Sequence, residues 1–200
     1  MTAQLDPHAL MEPSRARRLK AMTHDTHEKL DRAIMQAASF ASLEGYGRFV
    51  RMQYRFHRDI HALYDDARLQ ALLPGLAARR RMEVIARDLA DLGLPPPQAD
   101  TPVFAEDDID MPTALGWLYV AEGSALGAAL LRKEAARLGL SDRHGARHLA
   151  PAPGGPAVHW RLFTAALDAA VLTAAGEERV AQGARAAFAR VQAHVDAHLG

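Results

Sequence analysis

Two hundred residues are enough for one domain with a sizeable core and short for two. Twenty-four basic and 24 acidic residues give zero formal net charge, so the basic excess of a dedicated nucleic-acid binder is missing; 49% hydrophobic and 24% charged residues exclude a disordered chain. The absence of cysteine excludes disulfide scaffolds, thiolate metal sites, iron–sulfur ligation and thiol catalysis, and it fits a reducing cytoplasm, whereas ten histidines hint at metal chemistry.

The first residues contain no apolar run before a small-residue cleavage site, so no secretory signal is read, and 1–11 are expected to be loosely ordered. Helical periodicity dominates from there, because Ala, Leu and Arg greatly outnumber β-branched residues. A first helix is predicted over about 12–38, with Pro13-Ser14 at its start. A second is predicted over about 43–64. A third covers about 67–92, broken or kinked at Pro74-Gly75, capped by Gly93 and stopped by Pro95-Pro96-Pro97. An acidic connector, 98–110, leads to a long helix over about 112–138. A Gly- and Pro-rich loop, 141–156, precedes two final helices over about 157–174 and 177–198. No internal repeat is present, and a single all-α domain is expected.

The most apolar stretch, 114–131, is interrupted by Glu122, Gly123 and Ser124. A carboxylate at bilayer depth is costly, so this reads as a buried helix and not a membrane span. Gly123 and Gly127 stand four apart on one face of it. Each glycine costs a helix about 1 kcal/mol relative to alanine. Such a bare face either packs closely on another helix or admits something bulky to the backbone, and taken alone the packing reading is the commoner one.

The run Thr23-His24-Asp25-Thr26-His27-Glu28-Lys29-Leu30-Asp31 sets two histidines on the amphipathic N-terminal helix. Together with the glycine-containing segment it resembles the heme oxygenase family, specifically the bacterial biliverdin-producing branch. The segments HGARHLA (144–150) and HWRLF (159–163) are similar to the same branch, so the resemblance spans most of the chain. It implies a helical fold with heme between an N-terminal proximal helix and a kinked, glycine-containing distal helix. It implies His27 as the axial iron ligand, with His24 competing because i and i+3 share a face. Asp31, at i+4, could accept the other ring N–H or be an ordinary solvated carboxylate. Lys20, two turns before His27, is implied as a propionate partner, with Tyr119 as a hydroxyl donor and Lys133 as a further candidate at that edge. Gly123 and Gly127 are implied to lie against the distal heme face. Gln53 and His57 correspond to residues that organise water above it.

One departure stands out. Mammalian members carry an aspartate in the distal helix, and the comparable stretch here, 122–127, has none. The water network must then be held by Gln53, His57 or an arginine. His61 continues the Gln53–His57 face, but a two-histidine zinc site lacks its intervening glutamate. His194 and His198 are taken as surface residues. The reaction implied is oxidative cleavage of heme b, at once substrate and cofactor, to biliverdin, CO and ferrous iron. O₂ is the co-substrate, electrons come from a ferredoxin or flavin reductase, and a phytochrome is a conceivable biliverdin acceptor. A non-catalytic heme-binding or heme-storage protein on the same fold is the alternative. A carboxylate-bridged diiron protein would need paired Glu-x-x-His motifs, which the sequence lacks. A purely structural interaction module would have no need of a glycine face beside an apolar pocket.

Overall fold

The computed structural model describes residues 14–37, 40–98, 101–105 and 109–199. The expected helix start at Glu12 and Pro13, the 1–11 segment and parts of the acidic connector lie outside the described residues.

Side-chain caps set most helix starts. The Ser14 hydroxyl accepts the Arg17 amide ahead of α1 (Arg15–Gln36), and Ser42 does the same for Gly45 ahead of α2 (Leu43–Asp59). The predicted second helix tightens into a 3-10 turn at His61–Tyr64. Pro74 and Gly75 divide the predicted third helix, as their chemistry requires. α3 (Ala67–Leu72) stops before them, Gly75 turns at φ +78°, and a 3-10 turn at Leu76–Arg79 leads to α4 (Met82–Asp91). Asp110 caps α5 (Met111–Arg137), which runs as one α-helix through Gly123 and Gly127. α6 is Pro156–Ala169 and α7 is Ala174–His198. The break between them falls at 170–173, earlier than the sequence suggests. Thr173 caps α7 through the Gly176 amide, and Gly176 lies buried in the first turn, where a β-carbon would press on Leu172 at 3.3 Å, so this glycine is part of the helix and not a gap between helices.

α5 and α7 form the centre of the molecule. A β-carbon on Gly116 would lie 2.1 Å from the Val180 carbonyl oxygen, and one on Gly183 would lie 2.2 Å from the Thr113 carbonyl oxygen. The two backbones therefore touch at a pair of reciprocal glycines. α7 also packs against α1 and α2, α6 packs against α5 and α1, and α2 lies against α4. Every residue of α5 from Ala114 to Glu122 is buried, whereas of those after it only Ala128 and Ala135 are. α5 is long and apolar enough to cross a membrane by length and composition alone, but 56% of its most apolar window is buried inside this fold.

Paired charges tie the helices together. The Arg15 guanidinium, 6% exposed, bonds Glu177 at 2.5 Å and the carbonyl oxygens of Leu167 and Ala170, which moors α1 to the start of α7. The Asp88 carboxylate, fully buried, accepts the His148 and Arg147 amides and lies 2.8 Å from His148 Nδ1, closing the Gly- and Pro-rich loop onto α4. His194 is a correction to the sequence reading. It is 4% exposed, with Nε2 3.1 Å from an Asp59 oxygen that also binds Arg190 at 2.6 Å. α7 presses this face onto α2, and the Asp59 carboxylate makes burial of the imidazole tolerable. His198 is half-buried and stacks on it.

Candidate functional site

Between α1 and the middle of α5 lies a cleft of about 370 Å³, within the range of small-molecule and cofactor sites. Phe49, Met52, Gln53 and Phe56 of α2 line it, as do Phe188 and Val191 of α7 and Trp160 of α6. Each helix contributes the apolar stripe that faces inward, so the polar groups are few and their positions informative.

On the α1 side stand Lys20, His24, His27 and Asp31. The His27 side chain is half-exposed, with Nε2 3.6 Å from an Asp31 oxygen, and its ring meets Phe188 edge to face at 5.9 Å. His24 is placed similarly, 3.3 Å from Glu28, but among the described residues no aromatic ring packs against it. On the α5 side, Tyr119, Gly123 and Gly127 line the same cleft. A β-carbon on Gly123 would make only ordinary contact with the Trp160 ring, at 3.5 Å, and one on Gly127 would meet nothing within 4 Å. These two glycines are thus bare towards the cleft, and it is Gly116, lower on the same helix, that serves helix packing. Tyr119 packs against Trp160 at 5.4 Å. Burial holds its phenol above the usual pKa, against the opposing effect of a hydrogen bond with Thr23.

Gln53 reaches the cleft, but His57, one turn on, does not line it. His57 is 4% exposed, and its Nδ1 has no hydrogen-bond partner among the described residues. Burial drives its pKa down to about 3, with the positive charges of Arg81 and His148 adding to the effect, so the ring is neutral at ordinary pH. Lys133 is exposed and His61 pairs with Asp65 at 3.7 Å; neither lines the cleft. Among the described residues no three His, Asp or Glu side chains converge as a metal cluster. Two imidazoles on one helix, without a third ligand among the described residues and facing bare backbone across an apolar slot, suit a metal carried in a flat organic frame better than an ion held by protein ligands alone.

Sequence reasoning missed the role of Glu122. It is 4% exposed, accepts the Tyr64 hydroxyl at 3.1 Å, pairs with Arg79 at 2.8 Å and lies 3.3 Å from His159 Nε2. Arg79 also donates to the His159 carbonyl oxygen at 3.1 Å and lies over the Phe163 ring. Burial alone would raise the Glu122 pKa, but the bonds from His159 and Arg79 outweigh it and hold the carboxyl below its ordinary value. A glutamate in the most apolar segment must have partners. Those partners lie 58 and 43 positions away in Tyr64 and Arg79, where local sequence gives no sign of them.

A family model described as heme oxygenase matches residues 14–196. The chain is 44% identical over 186 residues to the heme oxygenase PigA of Pseudomonas aeruginosa, covering 93% of each protein. It is 30% identical over 158 residues to a heme oxygenase of Xanthomonas campestris pv. campestris, covering 78% of this chain and 93% of that one. Its structure is similar to crystal structures of the NO- and CO-bound heme oxygenase from Neisseria meningitidis, with a TM-score of 0.87, 41% identity and coverage of 94% and 92%.

Proposed function

The chain belongs to the heme oxygenase family and its activity is heme degradation, and from that premise we propose that the cleft between α1 and α5 holds heme for cleavage to biliverdin, CO and ferrous iron, with O₂ as co-substrate. The observation that carries this reading is the pair of bare glycines opposite an imidazole across an apolar slot.

When bound, heme supplies the iron and the ring that is attacked. The residues of this chain do the rest. His27 would ligate the heme iron, with its ring steadied by Phe188 and the Asp31 carboxylate close by. Lys20 at the cleft edge reaches a propionate and Tyr119 offers a hydroxyl to the same group; Lys133, outside the lining, drops out of this set. Gly123 and Gly127 would leave space for O₂ beside the bare backbone, and they bring no acidic or basic side chain to that wall of the cleft. Gln53 orients water inside the cleft. His57, neutral and buried behind the cleft, does not line it, so the water-handling role falls to Gln53 alone of that pair. The apolar remainder of the lining limits bulk water. We further propose a cytoplasmic setting, where a ferredoxin or flavin reductase supplies electrons and a phytochrome or other acceptor takes the biliverdin. A heme store on this fold would have no use for a bare glycine face.

The test is direct. Purified protein titrated with hemin should saturate at one equivalent. With ascorbate or a reductase in air, the Soret band should then fade as a biliverdin band grows. A Soret band that persists under reductant and O₂ would leave heme storage as the function.

A further inference from the structure

α5 changes character at one residue. Up to Glu122 every side chain from Ala114 is buried; beyond it the helix is open or half-open, with only Ala128 and Ala135 buried. The open stretch contains the two glycines that face the cleft, and a glycine has no side chain by which neighbours can locate it. Gly127 would meet nothing within 4 Å, and Gly123 has only Trp160 beside it. The height and pitch of this wall must therefore be set from elsewhere.

Glu122 is the last buried residue before the open stretch, and its carboxylate binds groups from three other parts of the fold. Tyr64 comes from the turn after α2, Arg79 from the turn after α3, and His159 from α6. His159 is joined to Trp160, the residue that lies against both Gly123 and Tyr119. Arg79 locks the same point a second time through the His159 carbonyl oxygen. One buried carboxylate thus ties the helix and the ring beside its glycine to the same guanidinium.

We propose that Glu122, with Arg79 and His159, is a positioning clamp that fixes where the glycine wall of α5 stands over the substrate, and so determines which edge of the heme ring is attacked. The inference rests on the assignment of the cleft to heme. A buried pair is not needed for stability as such, since apolar replacements of similar volume often serve as well; its value lies in holding one geometry. Glu122 touches neither the cleft nor the substrate, as it is absent from the lining. Its action is on Gly123 and Trp160.

The test uses Glu122→Gln, which keeps the shape and removes the charge, and His159→Gln, which leaves the Glu122–Arg79 pair in place should the first variant fold poorly. Two readouts are taken. In the apoprotein, amide exchange of residues 123–131 should accelerate by about tenfold or more while residues 114–121 stay protected, because one charge-assisted bond now fails to restrain local opening. In the heme complex, the distribution of biliverdin isomers should shift while hemin affinity changes less than about threefold, because no group contacting heme has been altered. Unchanged exchange in 123–131 with wild-type isomer proportions would overturn the clamp. So would acceleration spread evenly along α5, which would mark Glu122 as a general stability residue. Failure of wild-type protein to bind hemin would sink the heme assignment instead, and the exchange measurement on apoprotein would still judge the clamp on its own.

Discussion

Two imidazoles face the cleft from α1, and what separates them is the ring behind one of them. Phe188 meets His27 edge to face, whereas among the described residues His24 pairs with the Glu28 carboxylate and meets no ring. A metal ligand must hold one rotamer, and a packed aromatic neighbour reduces the freedom that would otherwise be lost on binding. His27→Ala should therefore abolish axial coordination in the ferric heme spectrum and lower turnover by more than about 100-fold, with helical content unchanged in circular dichroism. His24→Ala should retain both, and the reverse outcome would transfer the ligand role to His24. At this scale the sequence was half legible. Spacing left both histidines open, and resemblance, not geometry, favoured His27. The discriminating contact comes from a residue on the last helix, far beyond any local pattern. Glu122 shows the same limit: its burial was implied by the apolar run around it, but its partners were not.

α5 carries two kinds of glycine, and substitutions should tell them apart. Gly116 meets the α7 backbone, so Gly116→Ala, like Gly183→Ala, should destabilise the fold by about 2–3 kcal/mol or prevent folding. Gly127 faces open space, so Gly127→Ala should leave the melting temperature of the apoprotein unchanged or raise stability by up to about 1 kcal/mol. Gly127→Leu should keep the fold yet lose biliverdin formation, because its side chain would occupy the cleft. Melts of the apo variants alongside single-turnover assays make the comparison, and normal biliverdin yield from Gly127→Leu would remove the glycine wall from the mechanism. Periodicity and turn chemistry located these elements well: the Pro74-Gly75 break and the Gly93 cap fall where they were expected. The α6–α7 boundary was misplaced, because Ala174 and Ala175 are strong helix formers and the decisive signal was the Thr173 cap. Gly116 drew no notice because a packing glycine is recognised only by what lies across from it.

Over the whole molecule, buried ionisable groups set the response to acid. The pKa of His57 falls from 6.5 to about 3 on folding, and burial, the largest influence on His148, leaves that ring lowered as well. As pH falls from 6.5 towards 3, the unfolded chain takes up protons that the native state refuses, so stability declines across that window. Asp59, Asp88 and Glu122 are held below their ordinary values despite burial, so what they contribute starts to be lost as pH falls through those ordinary values of 3.8 to 4.5 and is gone once each is protonated in the native state. Urea midpoints should thus drop steadily between pH 7 and pH 5. His57→Gln should flatten that dependence by up to about 1.4 kcal/mol per pH unit. An identical slope in His57→Gln would mean that this ring is not the proton sink. The all-α architecture was legible from composition and period, whereas these buried polar pairs were not, since each joins segments distant in sequence.

The two sides of the cleft are held apart by a shared support. α1 and α5 both lie against α7, and Phe188 and Val191 of α7 form part of the cleft itself. On the ribosome the chain emerges from its N-terminus, so His27 and the bare glycines are made long before the helix that sets the distance between them. If the cleft holds heme as proposed, a nascent chain displays the ligand and the wall but offers no finished pocket until residue 191 has cleared the exit tunnel. Capture of substrate is thereby deferred to the end of synthesis, and a chain cut short within α7 would leave an exposed histidine without the pocket that makes it useful.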